Sequence, residues 1–221
     1  MRKSKNNIKH FDSVAFEVDS TLVTIEGLDF LANSKMIEGD IKRITSKAMS
    51  GNLSMIKSMV EKMKAIAPSY VDLKKMGHEY LKNITPGVKK TITLLKSKGI
   101  NVWIVTGNFQ PAVGMLAKYL GINKSNVITN DIFLDKNGNY LGFDTNNPLS
   151  NNGGKAIIVK KLKTKMKRVV FVGDGSTDLD TKEVVDLFIG FGGVVNRPAI
   201  EKQSEVYIKK NNMEAIIPYI V

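Results

Sequence analysis

Cysteine is absent from this 221-residue chain. Disulfides, thiolate metal sites and cysteine nucleophiles are therefore excluded, and nothing argues for an oxidising compartment. Long apolar runs are missing too: none approaches the ~18 residues of a membrane span. The basic start, Met1 to Asn7, is followed by no apolar h-region and does not read as a secretory signal. The expectation is a soluble cytoplasmic protein with no membrane partner. Arginine is sparse, with only Arg2, Arg43, Arg168 and Arg197, so the net charge of +12 comes mostly from dispersed lysine. The densest basic cluster runs from Lys160 to Arg168, where Ile158, Leu162 and Met166 recur at the spacing of one helix face. Its lysines then cover the solvated face. No basic motif interleaved with aromatics appears, so no nucleic-acid partner is expected, and dispersed lysine with abundant Asn and Ile reads as a compositional habit.

What remains is enough for a substantial core. Hydrophobic residues make up 43% and charged residues 24%, which suits one sizeable domain or one with a modest insertion. Residues 13–17 read as a first buried strand, and residues 22–83 as mostly helical. In that helical stretch Ile41, Ile44, Met55, Met59, Met63 and Ile66 fall at three- and four-residue spacings, interrupted at Pro68. Such a methionine-rich stripe is more often packing than a cofactor site. From Thr85-Pro86-Gly87 onward strands and helices alternate. A helix over 88–98 is followed by a strand over 100–105, a helix over 111–120 and a short strand at 127–128. A hairpin turns on Asp135 to Gly138, and a helix begins near Lys155. Further strands are expected at 169–172 and 187–189, and a short helix at 213–220. Near-continuous apolar strands alternating with helices imply a parallel sheet covered on both faces, with ligands outside the carboxyl ends of the strands.

Three strand ends carry chemistry. One is Glu17-Val18-Asp19-Ser20-Thr21, one is Thr106-Gly107, and one is Gly173-Asp174-Gly175 with Asp178 close by. Taken alone, the first could be a strand end with a helix cap. A parallel sheet, however, brings all three to one edge. Ser20-Thr21 and Thr106-Gly107 could cradle an oxyanion, and Lys155 after Gly153-Gly154 could neutralise phosphate charge. Carboxylates at Glu17, Asp174 and Asp178 suit Mg²⁺, which takes oxygen ligands and shares a phosphate oxygen. A carboxylate can accept a phosphoryl group, and an acid two residues on can protonate the leaving oxygen and then activate water. His10 and His78 lie outside this set.

These motifs, in this order, resemble the haloacid-dehalogenase superfamily of phosphohydrolases, and within it the phosphoserine-hydrolysing branch. Weaker matches connect them: Glu26-Gly27, Ala48-Met49-x-Gly51, Thr85-Pro86-Gly87, Gly142-Phe143-Asp144 and Ile189 to Gly193. The resemblance implies an α/β fold, a Rossmann-like parallel-sheet core of residues 1–21 and 84–221 with a small helical cap of residues 22–83. It implies Mg²⁺-dependent hydrolysis of a small phosphate ester, phosphoserine first, through an acyl phosphate. Carried over by position, Glu17 is the nucleophile and Asp19 the general acid/base, whose backbone carbonyl also meets the metal. Asp174 is a metal ligand, with Asp178 a ligand or its partner. Thr106, Gly107 and Lys155 hold the phosphoryl group. Glu26 meets the substrate amino group, Lys62 its carboxylate, and Met49, Thr177 and Arg197 line the pocket. Two positions depart from the family pattern: Glu17 stands where the family has aspartate, and Lys62 where the phosphoserine branch has arginine. A catalytically weak homologue that binds phosphometabolites, or a phosphatase of another small ester, is the alternative this leaves open.

Overall fold

A computed structural model describes residues 11–49 and 52–221. Six parallel strands form the main sheet, in the order β3 (Val127–Asn130), β2 (Asn101–Phe109), β1 (Ser13–Phe16), β6 (Val169–Gly173), β7 (Leu187–Phe191), β8 (Val206–Ile208). The pleat sends alternate side chains to opposite faces. Val14, Phe16, Val102, Ile104, Val170 and Val172 join one buried cluster, while Ala15, Trp103, Val105, Val169 and Phe171 join the other. Both faces are therefore apolar, and helices cover each. Helices α5 (Val88–Ser97) and α6 (Ala112–Tyr119) cover the first, and α7 (Gly154–Met166), the short α8 (Ser176–Leu179) and α9 (Pro198–Gln203) the second. On α7, Ile158, Leu162 and Met166 pack inward, as their spacing implies.

Between β1 and α5 the chain makes four α-helices: α1 (Gly27–Ser34), α2 (Glu38–Met49), α3 (Met55–Ile66) and α4 (Tyr70–Lys82). The break at Pro68 is sharp because Ala67 is left-handed and Ser69 starts α4 with a reciprocal cap. Ser69 Oγ accepts from Asp72 N–H at 3.2 Å, and Asp72 accepts from Ser69 N–H at 3.0 Å. The segment leaves and re-enters side by side. Val23 and Ile84 form an antiparallel bridge, and Thr85 N–H donates to the Leu22 carbonyl at 3.0 Å. Met63, Ile66, Leu73, Met76 and Tyr80 of these helices share the first apolar cluster, with α4 packed on α6. The hairpin β4 (Ile132–Leu134) and β5 (Tyr140–Phe143) forms where its turn chemistry places it.

The structure differs from the sequence expectations in three places. Glu17 lies just past β1. The strand β2 runs through Thr106-Gly107 to Phe109, whose ring is fully buried and meets Phe143 edge-on at 5.9 Å. That burial holds the backbone extended beyond the last aliphatic residue. Finally, α9 and β8 had no expectation at all, since β8 is three residues long between polar flanks and is defined by pairing with β7.

Candidate active site

Phe16 stands abreast of Ile104 on one side and Val172 on the other. All three strands point the same way, so the residues after each meet at one edge. There they surround a cavity of about 230 Å³ lined by Glu17, Asp19, Glu26, Gly107, Lys155, Asp174, Thr177, Asp178 and Arg197, with Met55, Leu149, Asn151 and Gly175.

After β1 the chain makes one wide turn, Val18–Leu22, closed by Val23 N–H donating to the Val18 carbonyl at 3.1 Å. Ser20 takes φ 51° inside it. This turn aims Asp19 inward. Its Oδ2 accepts from Gly27 N–H at 2.8 Å and its Oδ1 from the Tyr80 hydroxyl at 2.7 Å. Ser20 Oγ donates to Glu26 Oε1 at 2.6 Å, so its hydroxyl orients Glu26.

Lys155 arrives from the opposite side of β1, in the first turn of α7. A Cβ on Gly154 would lie 1.7 Å from the Pro148 carbonyl oxygen, so only glycine lets α7 press this close. Lys155 is buried, and its ammonium bridges Glu17 Oε2 and Asp178 Oδ1, the latter at 2.5 Å. Glu17 Oε1 accepts from Val18 N–H at 2.6 Å, and Asp178 Oδ2 from Gly175 N–H at 2.9 Å. Both oxygens of each acid are thus engaged. Arg197 grips Asp174 Oδ2 through Nε at 2.9 Å and Nη2 at 2.8 Å, and Thr21 Oγ1 donates to Asp174 Oδ1 at 3.4 Å.

Five carboxyl groups share this cavity with two cations, a surplus of negative charge. Burial, above all, pushes Asp19 up to about 6, against the hydrogen bonds from Tyr80, Gly27 and Asn108. Burial and the charge of Asp19 push Glu26 up to about 7. Burial and the charge of Asp178 push Asp174 up to about 6, against the pull of Arg197. A phosphate ester would be repelled here without a further cation. The donors are all oxygen, which suits a hard divalent ion that keeps water and shares substrate oxygens. Among the described residues no three acidic, imidazole or thiol side chains are grouped so as to hold a metal ion by themselves.

Some expected site residues stand elsewhere. Thr106 is fully buried, with its hydroxyl accepting from Asn108 N–H at 3.2 Å, while Gly107 beside it faces the cavity. Lys62 on α3 is half-buried away from the lining. Burial lowers its pKa against the opposing charges of Asp29 and Glu26. The side chain of Met49 lies outside the described residues, as does His10. Tyr80 and Met55 were not anticipated. Each looks like one more apolar position on a helix face, and only packing brings them here.

Residues 11–181 match the family described as haloacid dehalogenase-like hydrolase, and the chain belongs to that family. Within it the chain is phosphoserine phosphatase-like. It is 35% identical over 199 residues to the phosphoserine phosphatase of Bos taurus, covering 89% of this chain and 88% of that protein. It is 29% identical over 212 residues to that of Methanocaldococcus jannaschii, covering 94% and 96%. A solved structure of a phosphoserine phosphohydrolase-like protein from Francisella tularensis superposes with a TM-score of 0.82 at 25% identity, over 95% of this chain and all of that one.

Proposed function

We propose that this chain is a Mg²⁺-dependent phosphomonoester hydrolase acting on O-phosphoserine, releasing serine and phosphate in serine biosynthesis in the cytoplasm. The observation that carries this reading is the convergence of Glu17, Asp19, Lys155 and Asp174 on one small cavity. The relatives' names point to phosphoserine as the ester.

In this reading a Glu17 oxygen attacks phosphorus and the bond to the serine oxygen breaks. Asp19 gives its proton to that leaving oxygen. Water then attacks the acyl phosphate while Asp19 takes a proton from it, restoring Glu17 and freeing phosphate. A carboxyl group raised toward neutrality by burial suits both duties. Lys155, anchored by Asp178, turns its ammonium to the transferring phosphoryl group alongside Gly107, with Thr106 buried behind it. Glu17, Asp174 and the Asp19 carbonyl would hold Mg²⁺, with Asp178 as a further donor or as the anchor. When bound, the ion would neutralise phosphate charge and polarise phosphorus. Residues 22–83 serve as a cap, with their paired entry and exit at Val23 and Ile84 as the hinge. Glu26 of the cap meets the substrate amino group, and Thr177 and Arg197 line the cavity with it; Lys62, which stands back from that lining, is the cap's candidate partner for the substrate carboxylate.

One observation favours slow turnover. Glu17 has both oxygens committed, to Val18 N–H and to Lys155, so the resting chain holds its nucleophile within the protein. The test is phosphate release from L-phosphoserine with Mg²⁺ and after chelation. Metal-dependent release supports the reading. Saturable binding without release favours the alternative, a binder of phosphometabolites.

A further inference from the structure

Tyr80 lies on the inner face of α4 and has no role in the reaction just described. Its side chain is fully buried, and a phenylalanine would fill the same apolar space. A buried hydroxyl needs a partner, and here that partner is Asp19 Oδ1. The other carboxylate oxygen is held by the Gly27 amide. Gly27 opens α1, so its N–H has no carbonyl of its own helix to bond and is free for this contact. Two helices of the same segment thus hold one carboxylate, α1 through backbone and α4 through a phenol. The fit is tight: a Cβ on Gly27 would fall 2.2 Å from the Tyr80 hydroxyl and 2.8 Å from Met76 Sδ. Glycine at position 27 is what allows the hydroxyl to reach.

We propose that Tyr80 is a positioning residue: its hydroxyl fixes the orientation of the Asp19 carboxyl, so that proton transfer is competent only while α4 is seated against the site. The inference rests on the reading of Asp19 as general acid/base. With the Tyr80 bond released, Asp19 keeps the Gly27 amide and the Asn108 side chain but loses its hold from α4, and its carboxyl can shift. A misplacement of ~1 Å at a reacting group can lower the rate by ~10²-fold.

The test is Tyr80→Phe, made in this chain and in its Glu17→Asp variant, with two readouts. The first is hydrogen exchange at the Gly27 amide, which is protected through Asp19 alone. We expect it to speed up about tenfold, while inner amides of α1 and α4 keep their rates. The second is steady-state phosphoserine hydrolysis, where kcat should fall about tenfold or more with KM nearly unchanged. Gly27→Ala places a methyl group against the hydroxyl and should lower kcat in the same way. A purely structural Tyr80 would instead lower Tm and speed exchange evenly along both helices, with kcat per folded molecule unchanged; that result overturns the proposal. If neither background turns over any phosphate ester, the reading of the reaction fails, and the Gly27 exchange still decides whether Tyr80 fixes Asp19. Unchanged exchange there overturns the proposal by itself.

Discussion

Replacing Glu17 by aspartate removes one methylene at the position proposed to attack phosphorus. The residue follows β1, whose backbone is fixed by pairing on both sides, and Glu17 N–H itself donates to the Val172 carbonyl at 3.0 Å. The Cα cannot move to compensate, so the carboxylate withdraws by about one bond length, ~1.5 Å. That retreat draws it away from Lys155, which remains bonded to Asp178 at 2.5 Å. The freed carboxylate then faces the cavity. A nucleophile misplaced by ~1 Å costs ~10²-fold, or about 2.7 kcal/mol of barrier, so Glu17→Asp is expected to raise kcat by about that factor. The assay is initial-rate phosphate release from L-phosphoserine with Mg²⁺, both proteins side by side, with thermal melts to show both folded. Equal or lower activity in a folded Glu17→Asp variant would refute the reasoning. It would mean either that Glu17 already reaches phosphorus or that phosphoryl transfer to position 17 is not the reaction.

Lys155→Met leaves Glu17 and Asp178 buried without their cation; urea denaturation should show a loss of about 3 kcal/mol, partly recovered when Asp178→Asn is added. Gly154→Ala should destabilise by about 1–3 kcal/mol, because the added carbon meets the backbone oxygen of Pro148; an unchanged melting curve would contradict the close approach. Asp186 links β6 to α7. Burial opposes its ionisation, but Lys163 at 2.5 Å and Val169 N–H at 2.8 Å hold its pKa below the ordinary 3.8. A lowered carboxyl stabilises above its unfolded value, and that contribution fades as pH falls through the folded value. The stability gap between this chain and Asp186→Asn should therefore be constant near neutrality and shrink below about pH 4, measured by denaturation at a series of pH values. A gap that widens in acid would reverse the sign of the assigned interaction.

Much of this protein is legible in the chain itself. The apolar runs at 14–16, 102–105 and 169–172 read as strands buried on both faces, and their alternation with amphipathic helices points to a parallel sheet. Parallel strands put their ends on one edge, so Glu17, Asp19, Gly107, Asp174 and Asp178 meet because each follows or ends such a run. Lys155 was a candidate because it follows a glycine pair, and it is Gly154 of that pair that lets its helix come close. Local pattern could not extend β2 to Phe109 or reveal β8, since both depend on partners distant in sequence. Nor could it say which hydroxyls face the cavity: Ser20 and Thr106 bond within the protein, and their direction is set by a left-handed turn and by burial. Tyr80 is the clearest case. In sequence it is an apolar-face residue of α4, indistinguishable from a core aromatic, and 61 positions separate it from Asp19. The packing of α4 against α1 and α6 alone brings its hydroxyl to that carboxylate, because a hydrogen bond is decided by where atoms arrive and not by the pattern that folds the helix.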